Sequence, residues 1–438
     1  MKRILVMGAG LSSSYLIKYL LQHAKKEKWQ VTVADANLQL AQSKIGKNQA
    51  ANAVELNIHD ETKRKSLIES CDIVVSMLPA NLHILVAQDC LLFHKHLVTA
   101  SYLSEEMKSL HTQALKANLL FLNEIGLDPG IDHLSAMQMI HNIQSKGGKI
   151  TTFESYCGGL VAPEFDDNPW NYKFTWNPRN VVVAGQATAR YLENGLLKFI
   201  PPNRIFSQTK PIKVGKHGTY ESYANRDSLG YIEPYGIGSA KTVLRGTLRK
   251  KGFSEAWNCL VKLGLTDDSY HLSETETLTY REMVCAFLSG ADLKNTEVKL
   301  AEFLGITKNN KVFKKIIWLG LLEPNPIALK DASPAQALQK LLQEKWALKK
   351  GELDQIVMKH EISYELANKV HQEHSYLIVN GENQTLTAMA KTVGLPMAIA
   401  TKLILQGKIK SRGVQIPLSR EFYEPILQEL KKFNIAFS

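Results

Sequence analysis

Two glycines and one acid come first, because their spacing could hold a dinucleotide. Gly8 and Gly10 separate an apolar run, Ile4 to Met7, from a stretch in which Leu11, Tyr15, Leu16, Tyr19 and Leu20 recur at helical spacing. A strand that becomes a helix through Gly8-Ala9-Gly10-Leu11 brings backbone amides and a helix N-terminus up to a pyrophosphate. Gly8 allows the tight turn, and Gly10 leaves room for the phosphate. The third glycine of the pattern falls at Ser13, a residue still small enough for helix-strand contact. A second run, Gln30 to Ala34, ends in Asp35, about 25 residues beyond Gly10 and near the spacing of a carboxylate that accepts hydrogen bonds from an adenosine ribose. A 2′-phosphate there would face like charge, so Asp35 favours NAD over NADP. The plain alternatives are an ordinary turn and an acid that ends a strand.

The elements that would position these residues follow in alternation. Helical patterns begin at Leu38, run through Leu67, and cover Asn81 to Leu92 and Glu105 to Ala117. Between them lie apolar runs at Ala53–Leu56, Asp72–Leu78, His96–Ala100 and Leu119–Leu122. This rhythm describes an α/β fold with a parallel, doubly wound sheet. Ligands bind such sheets beyond the carboxyl ends of the strands, which directs attention to Leu78, to Ala100-Ser101-Tyr102 and to Gly126-Leu127-Asp128-Pro129-Gly130.

From about residue 150 the texture changes. Thr151 to Leu160 reads as a strand entering a glycine turn, with an aromatic stretch around Trp170, Tyr172, Phe174 and Trp176 after it. Short strands are expected at Leu197–Ile200, Pro211–Val214 and Tyr231–Glu233, in a mixed or antiparallel second domain. Residues 251–350, with Leu338, Leu341, Leu342 and Trp346 at helical spacing, read as a helical insertion. Strand character returns at His374–Val379. A helix from Leu386 is expected to end at Gly394, and Pro396 to open another.

Composition bounds the partners. The chain has 438 residues, 45% of them hydrophobic, enough for two or three cores. The start Met1-Lys2-Arg3 faintly mimics a signal peptide, but glycines interrupt the apolar run, and a cytoplasmic protein without a spanning helix is expected. Five scattered cysteines without C-x-x-C pairs suit reduced thiols. His371 and His374 have the spacing of helical metal ligands but lack a third partner, so no metal is expected. The net charge of +11 includes Lys308, Lys311, Lys314 and Lys315, whose apolar neighbours make them a solvated helix face rather than a nucleic-acid surface.

Six stretches taken together carry more information than the glycine turn. They are Val98-Thr99-Ala100-Ser101-Tyr102, Gly126-Leu127-Asp128-Pro129-Gly130-Ile131-Asp132-His133, Ser155-Tyr156-Cys157-Gly158-Gly159-Leu160, Asn225-Arg226-Asp227-Ser228, Leu244-Arg245-Gly246-Thr247-Leu248-Arg249 and Ala388-Met389-Ala390-Lys391-Thr392-Val393-Gly394-Leu395-Pro396. In this order, over essentially the whole chain, they resemble saccharopine dehydrogenase of the L-glutamate-forming type, also called saccharopine reductase. The resemblance implies a variant Rossmann dinucleotide-binding domain (1–130 and 385–438), a mixed α+β substrate and dimerisation domain (131–250 and 351–384) and an all-helical insertion (251–350). It implies a homodimer acting on a small molecule in lysine metabolism, with neither nucleic acid nor membrane as partner. Cofactor contacts are implied at Gly8, Ala9, Gly10, Leu11, Asp35, Leu78, Ala100, Ser101, Leu127, Pro129 and Trp176. Substrate contacts are implied at Ser101, Tyr102, Asp128, Arg226, Thr247, Leu248 and Arg249. Members of the family divide between NAD and NADP, and Asp35 stands where the NAD users carry an acid.

Saccharopine joins a lysine side chain to glutamate through a secondary amine and bears three carboxylates. Guanidinium forks match carboxylates bidentately, which makes Arg226 and Arg249 the natural anchors, with Arg245 in reserve. Oxidation at the lysyl ε-carbon gives an imine, and water then releases glutamate and 2-aminoadipate 6-semialdehyde. NAD would take the hydride. Asp128 and Tyr102 are the candidates for moving protons; capping the helix that begins near Ile131 is the plain alternative for Asp128. Cys157 is a third catalytic candidate, as a nucleophile, but the reaction needs none and Cys157→Ser is expected to keep most activity. Competing readings are an imine reductase of the carboxynorspermidine- or homospermidine-forming kind and a non-catalytic NAD-binding regulator.

Overall fold

Apolar residues on both faces of the first strand fix the centre of the fold: Ile4, Leu5, Val6 and Met7 are all buried. The computed structural model describes residues 1–438. In chain order, its first half runs β1 (Lys2–Met7), α1 (Ser14–Glu27), β2 (Trp29–Asp35), α2 (Leu38–Ile45), β3 (Ala51–Glu55), α3 (Glu61–Glu69), β4 (Ile73–Ser76), α4 (His83–Leu92), β5 (His96–Thr99), α5 (Glu105–Ser109), α6 (His111–Lys116), β6 (Leu120–Leu122) and α7 (Ile131–Gln144). There follow β7 (Lys149–Val161), α8 (Pro178–Val182), β8 (Ala189–Glu193), β9 (Leu196–Ile200), β10 (Thr209–Lys213), β11 (Thr219–Ala224) and β12 (Thr242–Arg249). Five helices come next: α9 (Phe253–Lys262), α10 (Tyr280–Ala286), α11 (Thr296–Leu304), α12 (Lys311–Trp318) and α13 (Pro334–Lys345). The chain ends with β13 (Asp354–Leu366), β14 (Lys369–Asn380), α14 (Ala388–Leu405), β15 (Gly413–Gln415) and α15 (Arg420–Leu430).

The chain divides into two compact units. The first comprises Met1–Lys149, Leu366–Lys369 and Leu377–Ser438, and the second Ile150–Glu365 and Val370–Tyr376. In the first, seven parallel strands lie in the order β15-β6-β5-β4-β1-β2-β3. The order reverses between β1 and β4, and a ligand crevice opens at such a switch point beyond the carboxyl ends of the strands. Gly8 follows β1 there, and Leu78 follows β4.

The C-terminal helix α14 is one continuous element, contrary to the break expected at Gly394. Its glycine has a packing reason: a Cβ there would lie 2.7 Å from the backbone nitrogen of Leu16 on α1. Pro396 is carried inside the helix without ending it. By length and composition α14 could cross a membrane, but 83% of it is buried within the fold. Lys402 of α14, Tyr19 of α1 and Glu429 of α15 tie the three helices together, Lys402 Nζ donating to Tyr19 Oη at 2.7 Å.

The second unit is built on a mixed sheet, β10-β11-β12-β7-β13-β14, with β8 attached to β12 and β9 to β8. Strand β12 runs parallel to β7 and antiparallel to β11. The glycine turn expected after Cys157 is absent, because β7 continues through Gly158 and Gly159 to Val161. A Cβ on Gly158 would lie 2.6 Å from the Leu248 carbonyl, so this glycine serves close strand contact. Tyr231–Glu233 is no strand; a short 3₁₀ turn, Leu229–Tyr231, stands there. His371 and His374 lie on β14, where residues three apart face opposite sides, so the helical ligand spacing does not arise. The aromatic stretch becomes core: Trp170, Tyr172 and Phe174 pack around Trp346, with ring centroids 5.1–5.3 Å apart.

Candidate functional site

The glycine turn is built as a cradle. Gly8 has φ +102, a conformation side chains rarely adopt, and a Cβ there would sit 3.0 Å from the Met77 carbonyl. A Cβ on Gly10 would meet nothing within 4 Å, which leaves open space where a phosphate is needed. Gly10 precedes a 3₁₀ turn, Leu11–Ser13, that leads directly into α1, and no side chain caps that end. Ser13 Oγ donates to the Gly10 carbonyl at 2.8 Å, so the serine at the third-glycine position holds the turn. These residues fit a dinucleotide phosphate, with Leu11 exposed at the rim.

Asp35 has a structural part that its spacing does not show. Its Oδ2 accepts from the Ala9 amide at 2.6 Å and its Oδ1 from the Asn37 amide at 2.8 Å. One carboxylate oxygen thus holds the glycine turn and the other the start of α2, and each keeps an acceptor site for a ribose hydroxyl.

The ends of β4 and β5 meet at a histidine that the sequence reading passed over. His83 Nδ1 lies 2.8 Å from Ser76 Oγ, and its Nε2 lies 2.7 Å from Ser101 Oγ and 3.1 Å from Thr99 Oγ1. Burial pushes its pKa down to about 4, so the ring is neutral at pH 7 and ties the Ser101 hydroxyl to the strand ends. The segment after β5 is held a second time by Glu124. Its backbone amide donates to the Ser101 carbonyl at 3.1 Å, and its Oε1 accepts from the Leu103 amide at 2.9 Å. His133 Nε2 lies 2.8 Å from the other Glu124 oxygen. Tyr102 thus projects from a backbone fixed on both sides. The signal was present, since Glu124 and His133 flank the glycine-bounded turn, but single polar residues beside an apolar run carry no periodicity.

That turn is closed by its glycines. The Gly126 amide donates to the Pro129 carbonyl at 2.9 Å, and a Cβ on Gly130 would overlap the Gly126 backbone at 2.1 Å. Gly126 also packs on Ala100, since a Cβ there would come within 2.8 Å of the alanine methyl. Leu127, Asp128 and Pro129 are carried on the loop between, with the Asp128–Pro129 peptide in the cis form. The cap of α7 is not Asp128: Gly130 takes that position, and Asp132 Oδ1 accepts from its amide at 2.6 Å. Asp128 Oδ1 instead accepts from the Tyr102 hydroxyl at 3.4 Å.

In the second unit, Arg245, Thr247 and Arg249 share one face of β12, as alternate residues do. Leu248 points to the opposite face and is fully buried, so its side chain cannot join the substrate contacts implied for its neighbours. The Arg249 guanidinium is buried among Phe253, Tyr172 and Tyr223, with ring centroids 5.3, 5.0 and 5.9 Å from its Cζ. Its Nη1 donates to the Leu248 carbonyl at 2.9 Å, while Nε is buried without a partner. It makes no ion pair: Glu221, opposite it on β11, gives its oxygens to the Gly252 and Ser254 amides and reaches the guanidinium only as a neighbouring charge. Such a group is costly unless an anion arrives. Cys157 is buried on β7 opposite Thr247. Arg226 is exposed in a left-handed turn just after β11, φ +47, next to the point where the Asn225 amide donates to the Arg245 carbonyl. Arg245 stacks on Tyr231 at 4.4 Å. Trp176 is half-buried ahead of α8.

A parallel sheet with a glycine cradle at its switch point defines a dinucleotide-binding protein of the Rossmann class. A family model described as the saccharopine dehydrogenase NADP binding domain matches residues 4–122, and one described as the saccharopine dehydrogenase C-terminal domain matches 126–435. The chain belongs to the saccharopine dehydrogenase family. It is 36% identical over 449 residues to a mitochondrial alpha-aminoadipic semialdehyde synthase of Bos taurus, covering all of this chain and 47% of that one. It therefore spans about half the length of such relatives. Over 444 residues it is 32% identical to the saccharopine dehydrogenase [NADP(+), L-glutamate-forming] of Schizosaccharomyces pombe, covering 99% of this chain and 98% of the relative. Among solved structures it is similar to the apo saccharopine dehydrogenase (L-Glu forming) of Saccharomyces cerevisiae, with a TM-score of 0.89 and 31% identity over 100% of this chain and 99% of the other.

These findings correct the cofactor. The expected preference for NAD conflicts with a matching domain described as NADP binding and with fungal relatives named for NADP(+). The inference rested on a single acid at Asp35, and one carboxylate at the end of a strand does not decide the cofactor.

Proposed function

We propose that the chain oxidises saccharopine with NADP to glutamate and 2-aminoadipate 6-semialdehyde, or runs the reverse condensation. The observation that carries this is the Tyr102–Asp128 contact, two proton-handling side chains at the strand ends of the cofactor unit, in a chain matched end to end by L-glutamate-forming relatives. NADP, when bound, accepts the hydride from the lysyl ε-carbon. Gly8, Ala9, Gly10 and Leu11 would hold its phosphates, and Leu78, Ala100, Ser101, Leu127 and Pro129 would line its nicotinamide end. Loss of hydride from carbon and a proton from nitrogen turns the secondary amine into an imine. Asp128, with Tyr102 against it, would take that proton and then serve the addition of water to the imine carbon and collapse of the carbinolamine. Proton transfer of this kind contributes about 10²–10⁴ in rate.

Arg249 supports a carboxylate substrate, since its buried Nε has no partner and the oxygens of Glu221, opposite it on β11, are bound to the Gly252 and Ser254 amides. Arg245 and Arg249 lie four residues apart on β12, about 13 Å at the rise of a strand. With Arg226 beside Arg245, that span suits a substrate with carboxylates at both ends. A homodimer acting on this small molecule is part of the same proposal. The test is absorbance from NADPH with saccharopine as substrate, run beside carboxynorspermidine. Turnover of saccharopine supports the reading, and turnover of the polyamine alone would replace it.

A further inference from the structure

Away from the strand ends, the first unit carries a half-open pocket of about 230 Å³ between α1, the start of α14 and the turn after α15. Its lining includes Tyr15, Lys18, Glu382, Lys391 and Lys432, three lysines to one acid; the further carboxylate near Lys432, Glu429, is already paired with Lys402. The lining acid is engaged too: Glu382 accepts from the Tyr15 hydroxyl at 2.5 Å. Lys391 is only 8% exposed and forms no ion pair, and its Nζ lies 5.8 Å from the centre of the Tyr15 ring. Lys18 Nζ lies 5.6 Å from the centre of the same ring. Two cations lie against one ring and repel each other, and burial, with a smaller contribution from Lys18 and against the opposing pull of Glu382, holds Lys391 below the usual lysine range. A ring offsets only part of the cost of such burial.

We propose that this pocket is a binding site for a small dianion, of phosphate or dicarboxylate chemistry, held by Lys391 with Lys18 and Lys432. The volume fits the ligand, with room for about seven water-sized groups. A doubly charged anion would neutralise the surplus of positive charge, whereas a monoanion would leave part of it. None of these residues belongs to the glycine cradle or the Tyr102–Asp128 pair, so the site stands or falls apart from the proposed reaction.

Calorimetric titration of the full chain at fixed ionic strength tests it, with inorganic phosphate and glutarate as separate probes and chloride as the monovalent control. Wild type should take up about one equivalent of phosphate or glutarate, and the probe that binds names the chemistry. Lys391→Met should weaken binding at least tenfold and the exposed Lys18→Ala severalfold; circular dichroism checks that each variant is folded, and Lys18→Ala decides if Lys391→Met is not. Binding no stronger than that of chloride, or affinities unchanged in the folded variants, would overturn the proposal.

Discussion

The Tyr102 hydroxyl donates to Asp128 Oδ1 at 3.4 Å, and this pair joins the segment after β5 to the glycine-bounded turn before α7. Gly130, not Asp128, occupies the cap position of α7, and Asp132 provides the bond there. Asp128→Asn should keep its melting temperature within a degree or two while kcat falls by about 10²–10⁴, and Tyr102→Phe should cost part of the same factor. The double variant should lose little beyond Asp128→Asn alone, as expected for residues acting as a unit. A wild-type kcat in Asp128→Asn across the pH range would make the pair structural.

Asp132 should show the opposite profile. Its carboxylate accepts from a buried backbone amide, and Asp132→Ala should destabilise the fold by about 1–3 kcal/mol in urea unfolding. Unchanged stability would mean the Gly130 amide finds another partner.

Legibility in the sequence followed the kind of signal each feature leaves. The strand-helix rhythm and the cradle at Gly8 and Gly10 rest on periodicity and glycine, both local properties. Features set by neighbours distant in the chain were misread. Gly394 and Gly158 looked like breaks because a glycine that admits another backbone is indistinguishable, in one sequence, from one that ends an element. Asp35 had the right spacing for a ribose, but its partners are decided by how the turn closes. His83, Glu124 and His133, which fix the segment bearing Tyr102, left no periodicity to read, even though His133 closes one of the six stretches.

Arg249 should govern substrate and not cofactor. Arg249→Met, which still fills the space among the aromatic rings, should raise the KM for saccharopine about 10- to 100-fold, the worth of a charged hydrogen bond. The Kd for NADP should stay within twofold by fluorescence titration. Arg249→Lys should not restore KM, because an ammonium cannot reproduce the fork. An unchanged KM in Arg249→Met would remove this residue from the substrate site.

Cys157 lies in the middle of β7, buried, and the proposed chemistry gives it nothing to attack. Cys157→Ser should retain most of kcat. A loss beyond about a thousandfold, more than a misplaced proton carrier commonly costs, would restore the covalent reading.

Acid should weaken the first unit through His83. Its pKa is near 4 when folded against an ordinary 6.5, so below pH 6.5 the unfolded chain binds the extra proton. Stability is therefore flat above pH 6.5 and falls as pH drops toward 4, by about 3 kcal/mol in all. His96, also near 4 through burial, adds to the loss in the same window. Urea unfolding at pH 4.5 and 7 measures the slope, and His83→Gln should make it shallower. Equal slopes in variant and wild type would show that His83 accepts the proton within the fold.

Which carbon gives up its hydrogen tests the central claim most directly. Saccharopine carrying two deuterons on the lysyl ε-carbon, turned over with NADP, should transfer one deuteron to NADPH and leave the other on the aldehyde of 2-aminoadipate 6-semialdehyde, with glutamate released unlabelled. Mass spectrometry of the dinucleotide and both amino acids reads all three. Unlabelled NADPH accompanied by lysine and 2-oxoglutarate would place oxidation on the other side of the nitrogen, and would contradict the account.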